Sequence, residues 1–179
     1  MIKSLYPFAQ KWSENGAILL YSDTHFDDHD CKLINPNWPN PDEHISILKQ
    51  YCHKNDTLII LGDIGNPQYL NQLKCYKVMI AGNHDVGLTK YKDYFNEIYG
   101  GPLFISDRIL LSHEPVLEMP FVMNIHGHNH NGNYISDNHL NVCTNVIGFV
   151  PLNLGKLIKN GLMSDIPTIH RWTIDNRWN

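Results

Sequence analysis

The chain has 179 residues, 42% hydrophobic and 18% charged, a profile that implies a single globular domain over 1–179 and excludes a long disordered chain. Fourteen Lys and Arg against eighteen Asp and Glu leave a formal charge of −4, which argues against a broad basic footprint for long nucleic acid. The dispersed cysteines (Cys31, Cys52, Cys75, Cys143) form no CxxC pair, and no apolar run nears the ~18 residues of a membrane span, so a reduced cytoplasmic protein is expected.

The first apolar run, Ala17–Tyr21, is bounded by Gly16 and Ser22-Asp23 and predicts a buried strand. Phe26 to Pro41 is polar and proline-containing and reads as loop. Asp42 is a candidate cap for a helix ending near Asn55, with Ile45, Leu48 and Cys52 on one face. Thr57–Leu61 and Tyr76–Ile80 predict two more buried strands, separated by a short helix around Gln68–Leu73. This alternation implies βαβ units and a partly parallel sheet. Leu103–Ser106 and Ile109–Ser112 flank Asp107-Arg108 and suggest a hairpin. Phe121–Ile125 and Leu140–Val146 are later strand candidates, Asn153–Asn160 a short helix capped by Gly161, and Thr168–Ile174 a final edge strand. Parallel pairing first and antiparallel pairing later predicts two sheets.

Five polar clusters each follow an apolar strand candidate: Asp23-Thr24-His25, Gly62-Asp63, Gly82-Asn83-His84-Asp85, His113 and Gly127-His128-Asn129-His130. Ligands of α/β sheets bind at the carboxyl ends of strands, so these clusters can meet despite their separation. Asp23 and His25, like His128 and His130, are two apart, and an extended chain sends both to one side. Carboxylate, amide and imidazole donors without cysteine suit manganese, iron, zinc or a similar divalent ion. The donors outnumber one tetrahedral set, so two ions sharing a ligand is the natural count, with Asp63 the candidate bridge.

In this order the motifs D-x-H, G-D, G-N-H-D, H and G-H-x-H resemble the calcineurin-like metallophosphoesterase superfamily, over about Ala17 to His130. The resemblance implies an α/β fold, a two-sheet β-sandwich flanked by helices in four layers. It implies that Asp23, His25, Asp63 and His130 hold one metal ion, and that Asp63, Asn83, His113 and His128 hold the second. His84 would contact the scissile phosphate or protonate the leaving group, with Asp85 orienting it. The activity implied is that of a metal-dependent phosphoric ester hydrolase using two divalent metal ions, manganese first, with iron, zinc or nickel as alternatives. Two such ions clamp attacking and leaving groups and lower the pKa of a shared water toward ~7, giving a hydroxide for in-line attack.

The substrate expected is a small phosphodiester, possibly a nucleotide, with no membrane partner. A phosphomonoesterase, a short-oligonucleotide nuclease and a non-catalytic scaffold are the rival readings. Scaffolds of this superfamily lose a ligand or the catalytic histidine, whereas every position is filled here. Gly62-Asp63 continues as Ile64-Gly65-Asn66, without the Asp-Arg-Gly of the protein phosphatases. Phe26 is followed by Asp27-Asp28-His29, one residue longer than the family's usual Gly-His, so no role is carried over to His29. The acidic stretch Asp27–Asp30 reads as a solvated loop or as a lining of the substrate mouth that disfavours polyanions. His44, His53 and His139 are expected on the surface and His126 in a packing or supporting role. His170 to Trp178 interleaves cations and aromatics, as an edge strand or a nucleotide cradle.

Overall fold

The computed structural model describes residues 11–167, so the expectations for Thr168–Ile174 and His170–Trp178 lie outside the described residues. The early strands are β1 (Ile18–Tyr21), β2 (Thr57–Ile60), β3 (Tyr76–Ile80) and β4 (Glu97–Tyr99). Then come β5 (Leu103–Ser106), β6 (Ile109–Leu111), β7 (Met123–His126), β8 (Ile135–Ser136), β9 (His139–Asn141) and β10 (Leu152–Asn153). They make two five-stranded sheets, in the orders β10-β1-β2-β3-β4 and β5-β6-β7-β9-β8. The first is parallel from β1 to β4, with β10 antiparallel on its edge. Strands β1 and β2 are buried at every position and β3 over Val78–Ile80, because both faces of this parallel sheet are covered.

The second sheet departs from the all-antiparallel expectation. Its β5–β6 hairpin is antiparallel, but β6–β7 and β7–β9 are parallel. The connection from β6 to β7 is too long for a tight turn and crosses the outer face of its sheet. There Asn124 Oδ1 accepts from the Val116 amide at 2.8 Å and Asn138 Nδ2 donates to the Met119 carbonyl at 2.6 Å. The strand expected to run to Val146 stops at Asn141, whose side chain accepts from the Cys143 amide at 3.0 Å and turns the chain.

Of the helices, α1 spans Cys31–Ile34, α2 Pro41–Tyr51 and α3 Leu154–Lys159. The cap of α2 is Asn40 rather than Asp42. Asn40 Oδ1 accepts from the Glu43 amide while Glu43 Oε2 accepts from the Asn40 amide, both at 3.0 Å, and Pro41 needs no donor at the first helical position. Asn153 caps α3, and Gly161 beyond its end takes a left-handed φ of 96°. Two short 3-10 turns, Pro67–Gln72 and Leu88–Tyr91, complete the cover of the first sheet.

Alternation along β1 to β3 divides the core. Ile18, Leu20, Ile59, Val78 and Ile80 face the second sheet and pack with Leu111, Ile125 and Leu140, whereas Leu19, Tyr21, Leu58, Ile60 and Met79 face α2 with Ile45 and Leu48. Among the described residues no helix is long and apolar enough to cross a membrane.

Candidate metal centre

Strands β1, β2, β3, β6 and β7 each end in one of the five motifs, and packing the two sheets face to face brings those ends to one rim. Backbone bonds zip the first two motifs together, from the Asp23 amide to the Gly62 carbonyl and from the His25 amide to the Asp63 carbonyl, each 3.0 Å. The Gly127 amide likewise donates to the His113 carbonyl at 2.9 Å. Asp23, His25, Asp63 and His128 all have left-handed φ, between 43° and 65°. Such strain costs about 1–3 kcal/mol per residue and persists where the surroundings fix it, commonly at functional sites. Two glycines make room. A Cβ at Gly82 would stand 2.2 Å from Asp63 Oδ1, and one at Gly127 2.4 Å from Asp23 Oδ2.

The seven residues expected as ligands converge. Asp63 Oδ2 is 3.3 Å from His113 Nε2 and 3.7 Å from His25 Nε2. Asp23 Oδ1 is 3.7 Å from His130 Nε2 and 4.0 Å from His25 Nε2. Asn83 Oδ1 is 2.8 Å from His113 Nε2 and 3.1 Å from His128 Nδ1. Two donor groups result, Asp23-His25-His130 and Asp63-His113-His128, each with its ligand atoms within 4.8 Å of one another. Asp63 lies between them.

Neighbours set which ring nitrogen faces the centre. His113 Nδ1 donates to the Leu61 carbonyl at 2.7 Å, which leaves Nε2 inward. Asn145 Nδ2 donates to the His130 carbonyl, so its Oδ1 accepts from His130 Nδ1, both at 2.8 Å. The Asp28 carboxylate stands 3.3 Å from His25 Nδ1. Partners of this kind orient metal-binding imidazoles. Burial lowers the proton affinity of His113, but the Asp63 carboxylate and the charge of Asp23 outweigh it and raise its pKa to about 9. For Asp63, burial acts upward but His113 and the His84 amide hold its pKa below the usual carboxylate value. Burial is also the main cause of the lowered His25 pKa, against the pull of Asp23 and Asp63.

The Asp85 side chain turns to backbone amides and the Tyr91 hydroxyl. Its carboxylate, 5% exposed, accepts from the amides of Asp63 (2.8 Å), Gly82 (2.8 Å) and Ile64 (3.1 Å) and from the Tyr91 hydroxyl (2.8 Å). It braces the turn that carries Asp63. His84 itself is at the open side, its side chain 69% exposed and its Nε2 3.9 Å from Asp63 Oδ2. His44 is buried rather than superficial, because it lies on the α2 face that includes Leu48, four residues on. His53 is exposed and His139 half-buried. His126 is buried outside the ligand groups, its ring 5.6 Å from that of His139. Asp27–Asp30 is exposed, with Asp27 tied to Asn66 Nδ2 (2.7 Å) and the Tyr69 hydroxyl (2.9 Å). The supporting residues Asn145 and Tyr91 carry no motif; only their place after a strand and after G-N-H-D marks them.

The two-sheet α/β sandwich and the convergence of the five motifs at one rim are those expected from the sequence. No protein-family model matches the chain, and no curated protein matches it. Among solved structures it is similar to a protein of unknown function, AQ665 from Aquifex aeolicus, at 24% identity and a TM-score of 0.67 over 80% of this chain and 98% of that one. It is also similar to the nuclease MPE of Pseudomonas putida, at 20% identity and a TM-score of 0.47 over 62% of this chain and 60% of that one. A third similarity is to YfcE, a phosphoesterase from E. coli, at 15% identity and a TM-score of 0.41 over 77% of this chain and 82% of that one.

Proposed function

We propose that the chain is a metal-dependent phosphoesterase with two divalent ions, acting on a small phosphodiester. One observation carries the reading. Asp23 Oδ1 and His25 Nε2 are buried without a hydrogen-bond partner, and both face the space bounded by Asp63 Oδ2 and His130 Nε2. A buried carboxylate oxygen and a buried imidazole nitrogen without partners are costly to the fold, and a cation between them satisfies both. The nitrogen and oxygen donor set fits manganese, iron or zinc.

Asp23, His25 and His130 would hold one ion, Asn83, His113 and His128 the other, and Asp63 both. Bound there, the ions would polarise phosphoryl oxygens and supply a water of lowered pKa. His84 reaches the open side from a backbone whose amide donates to Asp63 Oδ1 at 3.0 Å, so its exposed ring stays beside the centre. From there it donates a hydrogen bond to the phosphate or a proton to the leaving oxygen. No Lys or Arg is among the converging residues, which suits the single charge of a diester better than the double charge of a monoester.

Hydrolysis of bis-p-nitrophenyl phosphate and p-nitrophenyl phosphate with added manganese tests this. Metal-dependent turnover favouring the diester is expected. A large monoester advantage overturns the diester assignment, and no metal-dependent turnover of either overturns the phosphoesterase reading.

A further inference from the structure

The outer face of the second sheet carries a histidine pair that belongs to neither donor group of the rim. Ile125 and Leu140 point into the core, so the residues flanking them alternate to the opposite face. Asn124 pairs with His139 in the parallel β7–β9 ladder, which puts His126, two residues along β7, diagonally beside His139 on that face. Their rings stand 5.6 Å apart between centroids, at 71° to one another. Both line an open cavity of about 390 Å³, with Asn129, Asn131, Asn133 and Ser136 among its other walls. We propose that this cavity binds a divalent transition-metal ion, held by His126 Nε2 and His139 Nδ1.

The hydrogen bonds of the two rings leave one nitrogen of each for a ligand. His126 Nδ1 lies 2.8 Å from the Gly127 carbonyl, and His139 Nε2 lies 3.0 Å from the Val116 carbonyl. A carbonyl oxygen only accepts, so each of these nitrogens donates. The lone pair of the neutral ring is then on His126 Nε2 and on His139 Nδ1. Neither has a hydrogen-bond partner among the described residues, although His126 is only 5% exposed. Unlike His25 Nε2 and His44 Nδ1, both remain open to solvent. Fixing one imidazole nitrogen on a backbone carbonyl is how metal-binding histidines are commonly oriented.

The spacing and the lining suit an ion. At metal–nitrogen distances of about 2.0–2.1 Å, two imidazoles on one tetrahedral ion have ring centres roughly 5–5.5 Å apart. The lining holds no Lys, Arg, Asp or Glu. No positive charge repels a cation there, and without carboxylates magnesium and calcium lack their usual ligands. Imidazole donors instead favour zinc, copper or nickel, with side-chain oxygens and water in the remaining positions. Such an ion would tie β7 to β9 directly behind Gly127-His128-Asn129-His130.

Zinc-edge anomalous diffraction from crystals of the unaltered protein, grown with a few equivalents of zinc, tests this independently of the phosphoesterase reading. A peak about 2.0–2.1 Å from both His126 Nε2 and His139 Nδ1 is expected. Zinc at the motif rim with none between these two histidines would overturn the proposal, and so would a peak held by only one of them. In solution, calorimetric titration with zinc should give one equivalent fewer for His139→Ala, checked for folding by circular dichroism, than for the unaltered protein. Equal stoichiometries would overturn it. Zinc between His126 and His139 with no ion at the rim overturns the metal-dependent phosphoesterase reading alone, and a map without zinc at either place overturns both.

Discussion

Replacing Asp85 by alanine separates two roles that its position beside His84 leaves open. In the structure it is a buried acceptor of four hydrogen bonds, from the amides of Asp63, Ile64 and Gly82 and from the Tyr91 hydroxyl. Its loss leaves three backbone donors without an acceptor, and at about 1 kcal/mol or more each the fold should lose at least ~3 kcal/mol. Asp63 also holds a left-handed φ of 53° through this bracket, so its carboxylate should relax away from His113 and His25. Urea unfolding gives the stability change, and elemental analysis after dialysis against manganese gives metal uptake. A lowered unfolding midpoint with reduced manganese is expected, and Tyr91→Phe should show a smaller stability loss of about 2 kcal/mol. Unchanged stability and metal content with a selective fall in kcat would instead make Asp85 the partner of His84 and refute the bracing role.

Further outcomes follow from the same geometry. His84→Ala should retain manganese and lose most turnover, whereas Asp63→Ala should lose both; elemental analysis with steady-state kinetics distinguishes them, and equal metal loss in the two variants would contradict the division. Gly127→Ala places a Cβ 1.9 Å from Ser22 Oγ and 2.4 Å from Asp23 Oδ2, so it should displace Asp23 and weaken manganese binding measured by titration calorimetry. Burial lowers the His44 pKa from 6.5 to about 4, so the unfolded chain takes up the proton first on acidification. The stability from its neutral burial is complete above pH 6.5 and falls by about 3 kcal/mol as pH drops through 4. Unfolding free energies of the unaltered protein and of His44→Gln should converge across that window; parallel curves would remove His44 as the cause.

The first sheet was legible because Ile18–Tyr21, Thr57–Ile60 and Tyr76–Ile80 are apolar runs ending in turn residues, and a doubly covered parallel strand has no other pattern. The same strand ends made the motifs legible, since each polar cluster begins where an apolar run stops. β8 and β10 are only two residues long, and β4 three, too short to carry a period. The β6–β7 pairing escaped because local sequence shows a loop but not the route it takes over a sheet. The bracing contacts of Asp85 were hidden for a related reason. Its partners are backbone amides up to 22 residues away, and an amide leaves no mark on residue type. His44 was hidden because a polar residue on a helix reads as exposed unless its face is traced through Leu48.

On the proposed reading, Asp23, His25, Asp63, Asn83, His113, His128 and His130 seat two ions with Asp63 between them. Anomalous diffraction from crystals of the protein grown with manganese tests it most directly. Two peaks are expected, about 3.5–4 Å apart, one among Asp23, His25 and His130 and the other among Asn83, His113 and His128, with Asp63 reaching both. A map without peaks at this rim, or with manganese held only by other residues, would contradict it.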